Sequence, residues 1–244
     1  VSHSIEKGKP SLDHLPHAYM EEDKEATTLK IQLVDELIKV EMTLLYTIYE
    51  QQNVITRSVH FENKGEQVLK LEKALSACID FPDYNFDWIQ FSGAWARERA
   101  PKVRPLEMGS TVIESVRGHS SSQQNPYVIL KRKTTDENQG DCFGFHFVYS
   151  GNFIACAEVD SFDVTRFTMG IHPRNFSWKL APGVSFQTPE VLLTFSSNGL
   201  NGLSQVAHTF LQSRVARGYW RDRPRPVLLN NWEATGMEFT EDSV

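Results

Sequence analysis

From Thr28 to about Phe195 the chain alternates apolar and polar residues with a period of two, and this pattern restricts it to β architectures. Val40, Met42, Leu44, Tyr46 and Ile48 fall on one side, and Glu41, Thr43 and Thr47 on the other. Successive side chains of a strand point to opposite faces, so the alternation predicts a strand with one buried face. The pattern recurs over 54–61, 68–79, 87–92, 109–116, 126–134, 141–149, 152–159, 164–171 and 184–195. Turn residues at Asn63-Lys64-Gly65-Glu66, Asn138-Gln139-Gly140, Gly151-Asn152 and Pro182-Gly183 separate these runs. Many strands without intervening helices predict an all-β dominated chain, with two large antiparallel sheets packed as a sandwich. No repeat of about 20–50 residues is visible, which argues against a propeller.

The period then changes. Leu203, Val206, Ala207, Phe210, Leu211 and Val215 recur at helical spacing, so an amphipathic helix is predicted over 202–217, with Asn201 at its start and Gly218 at its end. Pro226-Val227-Leu228-Leu229-Asn230 is apolar on consecutive positions, as a strand covered on both faces of a parallel sheet requires. Residues 1–26, with Pro10, Pro16 and the run Glu21-Glu22-Asp23, read as a linker or surface loop. The expected units are a sandwich over 1–197, a linker helix over 198–225 and the start of a different domain over 226–244.

Composition narrows the function classes. A net charge of −6 argues against a nucleic-acid footprint. No apolar run approaches the roughly 18 residues of a membrane helix. No charged-then-apolar leader follows Val1, and the missing Met suggests a chain that begins inside a longer protein. Cys78, Cys142 and Cys156 are odd in number and none lies in a C-x-x-C pair. They read as small buried hydrophobes in strands of a protein from a reducing compartment, and a cytoplasmic location is expected.

Three clusters could carry chemistry. In Ser92-Gly93-Ala94-Trp95-Ala96-Arg97-Glu98-Arg99, an aromatic face stands beside charged hydrogen-bonding groups, the combination that binds sugars. The plainer reading is an Arg–Glu–Arg ladder beside a core Trp. The stretch from Ser115 to Pro126 holds Arg117, His119, Ser121, Gln123 and Asn125. So polar a connection either hydrogen-bonds itself into a fixed shape or lines a polar site. His119 has no carboxylate or nucleophile near it in sequence, which speaks against a general base. Asn230-Asn231-Trp232-Glu233-Ala234-Thr235 follows the apolar strand at its C-terminal end, where barrels bind ligands. Trp232 there could stack on a sugar ring or pack in a core. Glu233 is read as a structural hydrogen-bonding group, since one carboxylate cannot run a two-carboxylate mechanism. No phosphate-binding glycine loop, serine elbow or metal-spaced histidine set is present.

In these clusters the chain resembles glycoside hydrolase family 36, the microbial and fungal α-galactosidases. The resemblance runs in order through Ser92 to Arg99, Ser115 to Pro126, Met169 to Trp178, Phe186 to Glu190 and Trp220 to Thr235. It implies an N-terminal β-supersandwich, a linker helix and the first strand of a truncated (β/α)8 barrel. It further implies a retaining enzyme that acts on galactoside oligosaccharides such as melibiose and raffinose, without metal or organic cofactor. The family's catalytic aspartates lie on later barrel strands, so this chain is expected to be inactive by itself and truncated at both ends. Trp232 and Asn231 are the implied substrate contacts. Arg97, Arg99, Arg117, His119, Ser121, Gln123 and Asn125 are candidates for an active-site rim or an interface in a homo-oligomer, as a tetramer. Two departures stand out: Ser122 and Gln124 replace the frequent histidine, and Gly236-Met237-Glu238-Phe239 replaces Tyr-Phe-Asp-Phe. Alternative readings are a free-standing carbohydrate-binding sandwich module, or an α-N-acetylgalactosaminidase or galactosyl transferase on the same scaffold.

Overall fold

A computed structural model describes residues 1–12 and 14–243. Its strands, in chain order, are β1 (Ser2–Lys7), β2 (Thr27–Asp35), β3 (Val40–Tyr49), β4 (Val54–Asn63), β5 (Leu69–Leu71), β6 (Leu75–Phe81), β7 (Phe86–Ala94) and β8 (Arg97–Pro105). There follow β9 (Gly109–Ser115), β10 (Gln124–Arg132), β11 (Cys142–Val148), β12 (Phe153–Val159), β13 (Thr165–Ile171), β14 (Trp178–Leu180), β15 (Ser185–Gln187) and β16 (Glu190–Ser196). The α-helices among the described residues are α1 (Gly199–Phe210) and the single turn α2 (Trp232–Thr235).

Two layers form the expected sandwich, but they are unequal. The large sheet runs β1-β2-β3-β4-β16-β11-β10-β7-β8, with β15 as a tenth strand paired to β4. The small sheet runs β6-β13-β12-β9, and β5 and β14 form a separate pair. Between the layers, Phe86, Trp88, Val128, Leu130 and Phe145 of the large sheet meet Ala77, Ile113, Phe153, Ala155, Phe167 and Met169 of the small one. Phe145 stacks on Phe167 with ring centroids 3.9 Å apart. The small residues Ala77, Ala155 and Ala157 lie in the same buried cluster and leave room for these rings.

The opposite face of the large sheet is covered by α1 and by the N-terminal segment. Leu203, Ala207 and Phe210 are the buried face of α1, at the i, i+4, i+7 spacing read from the sequence. Phe210 meets Tyr49 edge to face at 4.9 Å. The helix starts three residues earlier than expected, with Asn198 rather than Asn201 preceding it. A wider five-residue turn, Leu211–Val215, carries it on to Ala216, short of Gly218.

Four expectations are corrected. Residues 1–26 are not merely a linker: β1 pairs with β2 from Ser2↔Gln32 to Lys7↔Thr27, and Leu12 and Ala18 are buried. Backbone ladder bonds, which need no apolar side chains, hold so polar an edge strand. The run 68–79 splits into β5 and β6, and 184–195 into β15 and β16. Cys142 is buried and Cys156 half-buried, as small strand residues, but Cys78 is exposed on the outer face of the small sheet. Residues 226–230 form no strand, and Val227 is fully solvent-exposed. A strand buried on both faces needs neighbours on both edges, and none lies beside it among the described residues.

Candidate functional site

Two of the three clusters, far apart in sequence, meet at one end of the large sheet. β7 and β8 form a hairpin whose register slips between Ser92 and Ala94. Gly93 stands at this bulge because a Cβ there would lie 2.3 Å from the Arg97 carbonyl oxygen. The Gly93 N–H donates to the Gln123 carbonyl (3.1 Å), tying the hairpin to the connection between β9 and β10. Asn125 reinforces the junction by donating to the Phe91 carbonyl (3.3 Å). Behind it runs a relay from the core: Trp88 Nε1 donates to Gln90 (3.0 Å), Gln90 to Ser92 (2.9 Å), and Ser92 to Gln124 (2.9 Å).

At the hairpin tip Ala96 has φ 61°, and its N–H donates to the Glu98 carboxylate (3.0 Å). Trp95 is therefore held out into solvent, 82% exposed. It is not a core Trp. Glu98 caps the turn instead of joining a ladder, and neither Arg97 nor Arg99 is in an ion pair among the described residues. The polar connection is shaped by a bond within itself and by two bonds to the turn between β11 and β12. The Ser115 hydroxyl donates to the His119 carbonyl (2.6 Å), Gly118 N–H to Asn152 Oδ1 (2.6 Å), and Ser120 N–H to the Ser150 carbonyl (2.9 Å). This fixes the loop while the Arg117 and His119 side chains face solvent; Ser121, Gln123 and Asn125 are half-buried. Exposed Trp and Arg groups on a fixed backbone can dock a sugar or another protein surface.

Arg99 and Asn125 also border a groove of about 760 Å³ between the β7–β8–β10 face and α1. Phe91, Tyr127 and His146 stand in it as a cross-strand stack, Tyr127 on His146 at 3.8 Å and Phe91 on Tyr127 at 5.3 Å. Burial, with His208 nearby, pushes His146 down to about 3, so it is neutral at physiological pH. Burial likewise raises the Tyr127 hydroxyl. Its neutrality and stacking mark His146 as a packing residue.

The third cluster stands apart. It follows the exit of α1, where Arg221 bonds Tyr19 and Glu21 (2.7 and 2.5 Å) and holds the Glu21 carboxyl below its usual range. Asn231, which precedes α2, donates Nδ2 to Thr235 Oγ1 (2.9 Å), and Trp232 is 57% exposed. Glu233 makes no hydrogen bond among the described residues, so its expected structural role is not met there. Sequence reasoning gave no role to Lys9 and Glu190, which form a buried ion pair (2.9 Å) on the α1 side. A carboxylate directly before the apolar run Val191-Leu192-Leu193 was the available signal. Among the described residues no three His, Cys, Asp or Glu side chains are grouped to hold a metal ion. Nor is any helix long and apolar enough to cross a membrane.

Comparison with known proteins decides what this scaffold is. Residues 1–181 match the glycosyl hydrolase family 36 N-terminal domain, and residues 185–244 match the melibiase model. The chain belongs to glycosyl hydrolase family 36. Among its relatives, α-galactosidase AgaA of Geobacillus stearothermophilus is 55% identical over 243 residues, 100% of this chain and 33% of AgaA. α-Galactosidase Mel36A of Lactobacillus acidophilus is 44% identical, again over 100% of this chain and 33% of its own length. The crystal structure of AgaA superposes with a TM-score of 0.96, covering 99% of this chain and 34% of that one. Variants of AgaA have been solved with stachyose and with raffinose. This family-36 chain thus spans about a third of the length of its relatives. The boundary between the two family matches falls inside the sandwich, since β16 lies between β4 and β11 in the large sheet.

Proposed function

We propose that these residues are the sandwich part and the barrel entrance of a retaining α-galactosidase that releases terminal α-linked galactose from oligosaccharides such as melibiose and raffinose. The observation that carries the reading is 55% identity to an α-galactosidase over 243 residues of this chain. The units are a sandwich over 1–197, a linker over 198–225 and the start of the catalytic barrel over 226–244. In the whole enzyme one carboxylate forms a covalent galactosyl intermediate, and a second acts first as acid and then as base. Neither role is taken by this chain's residues.

Trp232 faces the galactose and stacks on its apolar side, with Asn231 beside it. The hairpin and loop bearing Arg97, Arg99, Arg117, His119, Ser121, Gln123 and Asn125 form a rim around substrate, their own or that of a neighbouring subunit in a tetramer. The three unbridged cysteines support a cytoplasmic enzyme. The test is to offer the full-length protein melibiose, raffinose and an α-N-acetylgalactosaminide, and to measure the released sugar. Galactose from the first two and little from the third is expected. Preference for the N-acetyl sugar, or transfer without hydrolysis, would replace this reading with one of its rivals on the same scaffold.

A further inference from the structure

The chain leaves the sandwich through a cluster built around Tyr19. Phe210 anchors α1 in the core, and the residues that follow it bring Arg214, Arg217 and Arg221 against the N-terminal segment. The Tyr19 N–H donates to the Arg214 carbonyl (2.9 Å), and its hydroxyl donates to the Ala216 carbonyl (3.1 Å). Arg217 lies over the Tyr19 ring at 4.7 Å and donates to the His17 carbonyl (3.0 Å). Arg214 grips Glu25 with Nε and Nη2 (2.9 and 3.0 Å). Arg221 completes the cluster. Its Nη1 donates to the Tyr19 hydroxyl (2.7 Å) and to Glu21 (2.5 Å), and its Nε donates to Asp222 (2.8 Å).

The Arg221 contacts add little to stability. The Arg221 and Glu21 side chains are 25% and 47% exposed, and water screens ion pairs of this kind. What they fix is direction. A planar guanidinium that bonds three groups at once holds its backbone in one orientation, which an ammonium on a flexible stem does not. Arg221 is also the last residue tied to the sandwich: among the described residues no hydrogen bond or ion pair joins 222–243 to 1–216. The chain beyond it is stiff. Pro224 and Pro226 fix their own φ and bias Arg223 and Arg225 towards extended backbone, so Arg221 to Pro226 is a short semi-rigid strut. Further on, the Trp232 N–H donates to Asn230 Oδ1 (3.0 Å). An orientation set at Arg221 is carried towards Trp232 instead of being lost in a flexible linker.

We infer that Arg221, seated on Tyr19 and Glu21, is a positioning residue for the galactoside site: it aims the proline strut so that Trp232 meets the sugar. The inference rests on the role given to Trp232 above. It also gives the N-terminal segment a part in catalysis, since Tyr19 and Glu21 are the seat on which Arg221 is held. A misplacement of about 1 Å in a binding group can lower a rate roughly 10²-fold, so a contact that hardly affects stability can still govern turnover.

The test is a kinetic cycle in the full-length protein with melibiose as substrate, using the parent, Arg221→Met, Trp232→Ala and the double variant, with Arg221→Lys as the conservative change and a melting temperature for each. Arg221→Met should lower kcat/KM at least about tenfold and shift the melting temperature by less than about 2 °C. It should cause no further loss once Trp232 is replaced, because nothing is then left to position. Arg221→Lys can keep one of the bonds and should fall between the parent and Arg221→Met. Three results overturn the inference and leave the galactosidase reading intact: an unchanged kcat/KM in Arg221→Met, a loss that multiplies that of Trp232→Ala, or a loss that follows the melting temperature. Hydrolysis of melibiose that is indifferent to Trp232→Ala overturns the role of Trp232 and the inference with it, and so does a parent protein that releases no galactose.

Discussion

The buried pair Lys9–Glu190 makes the sharpest demand on the fold. Its side chains are 3% and 2% exposed, Nζ to Oε1 is 2.9 Å, and the second carboxylate oxygen accepts the Ala18 N–H at 2.7 Å. The pair fastens the N-terminal segment to β16. Glu190→Gln keeps the shape and can keep the Ala18 bond, but it leaves the ammonium of Lys9 buried without a counter-ion. Breaking a buried pair from one side costs about 3–5 kcal/mol. The retained amide bond puts the expected loss near the lower end, about 3 kcal/mol, or about 6–12 °C in melting temperature for a chain of this size. Lys9→Met should cost a similar amount by stranding the carboxylate. The double variant Lys9→Met/Glu190→Leu removes both charges and should lie within about 1 kcal/mol of the parent. Urea unfolding followed by tryptophan fluorescence gives the cycle. If each single variant costs less than about 1 kcal/mol, or the double is worse than either, the charges are hydrated and the segment is not fastened as described.

Phe210→Ala empties the contact between α1 and Tyr49 and should cost about 3–5 kcal/mol in urea unfolding; a loss below about 1 would make α1 a loose linker. In the full-length enzyme Trp232→Ala should lower turnover or raise the Michaelis constant for a galactoside at least tenfold, about 1.4 kcal/mol, while unchanged constants would make Trp232 a packing residue. His146 is lowered to about 3 by burial, so the fold favours its neutral form. That stability is complete above the unfolded value near 6.5 and is lost as pH falls towards 3, by at most about 1.4 kcal/mol per unit. His146→Phe, which can keep the stack on Tyr127, should flatten the stability curve between pH 6.5 and 4; an unchanged slope assigns the acid sensitivity elsewhere.

The sandwich was legible because its core strands carry alternation that only a half-buried pleat explains. Where burial does not act, the signal fades. β8 holds Arg97, Glu98, Arg99, Pro101, Lys102, Arg104 and Pro105 and was passed over. It is an edge strand, exposed along almost its whole length, where charges and prolines are tolerated. β1 escaped for the same reason. The strand expected at 226–230 shows the converse, since its apolar run needs neighbouring strands that no local pattern supplies. At the candidate site the residue types were readable, but the bond from Gly93 to Gln123 joins positions 30 apart in the chain, and only the sheet order brings them together.

The most direct test of the central proposal is a proton NMR time course of the full-length protein acting on melibiose. A retaining α-galactosidase releases α-galactose first, and the β anomer then grows in by mutarotation. β-Galactose as the first product would contradict the retaining mechanism, and no release of galactose would contradict the assignment of this family-36 chain to an α-galactosidase.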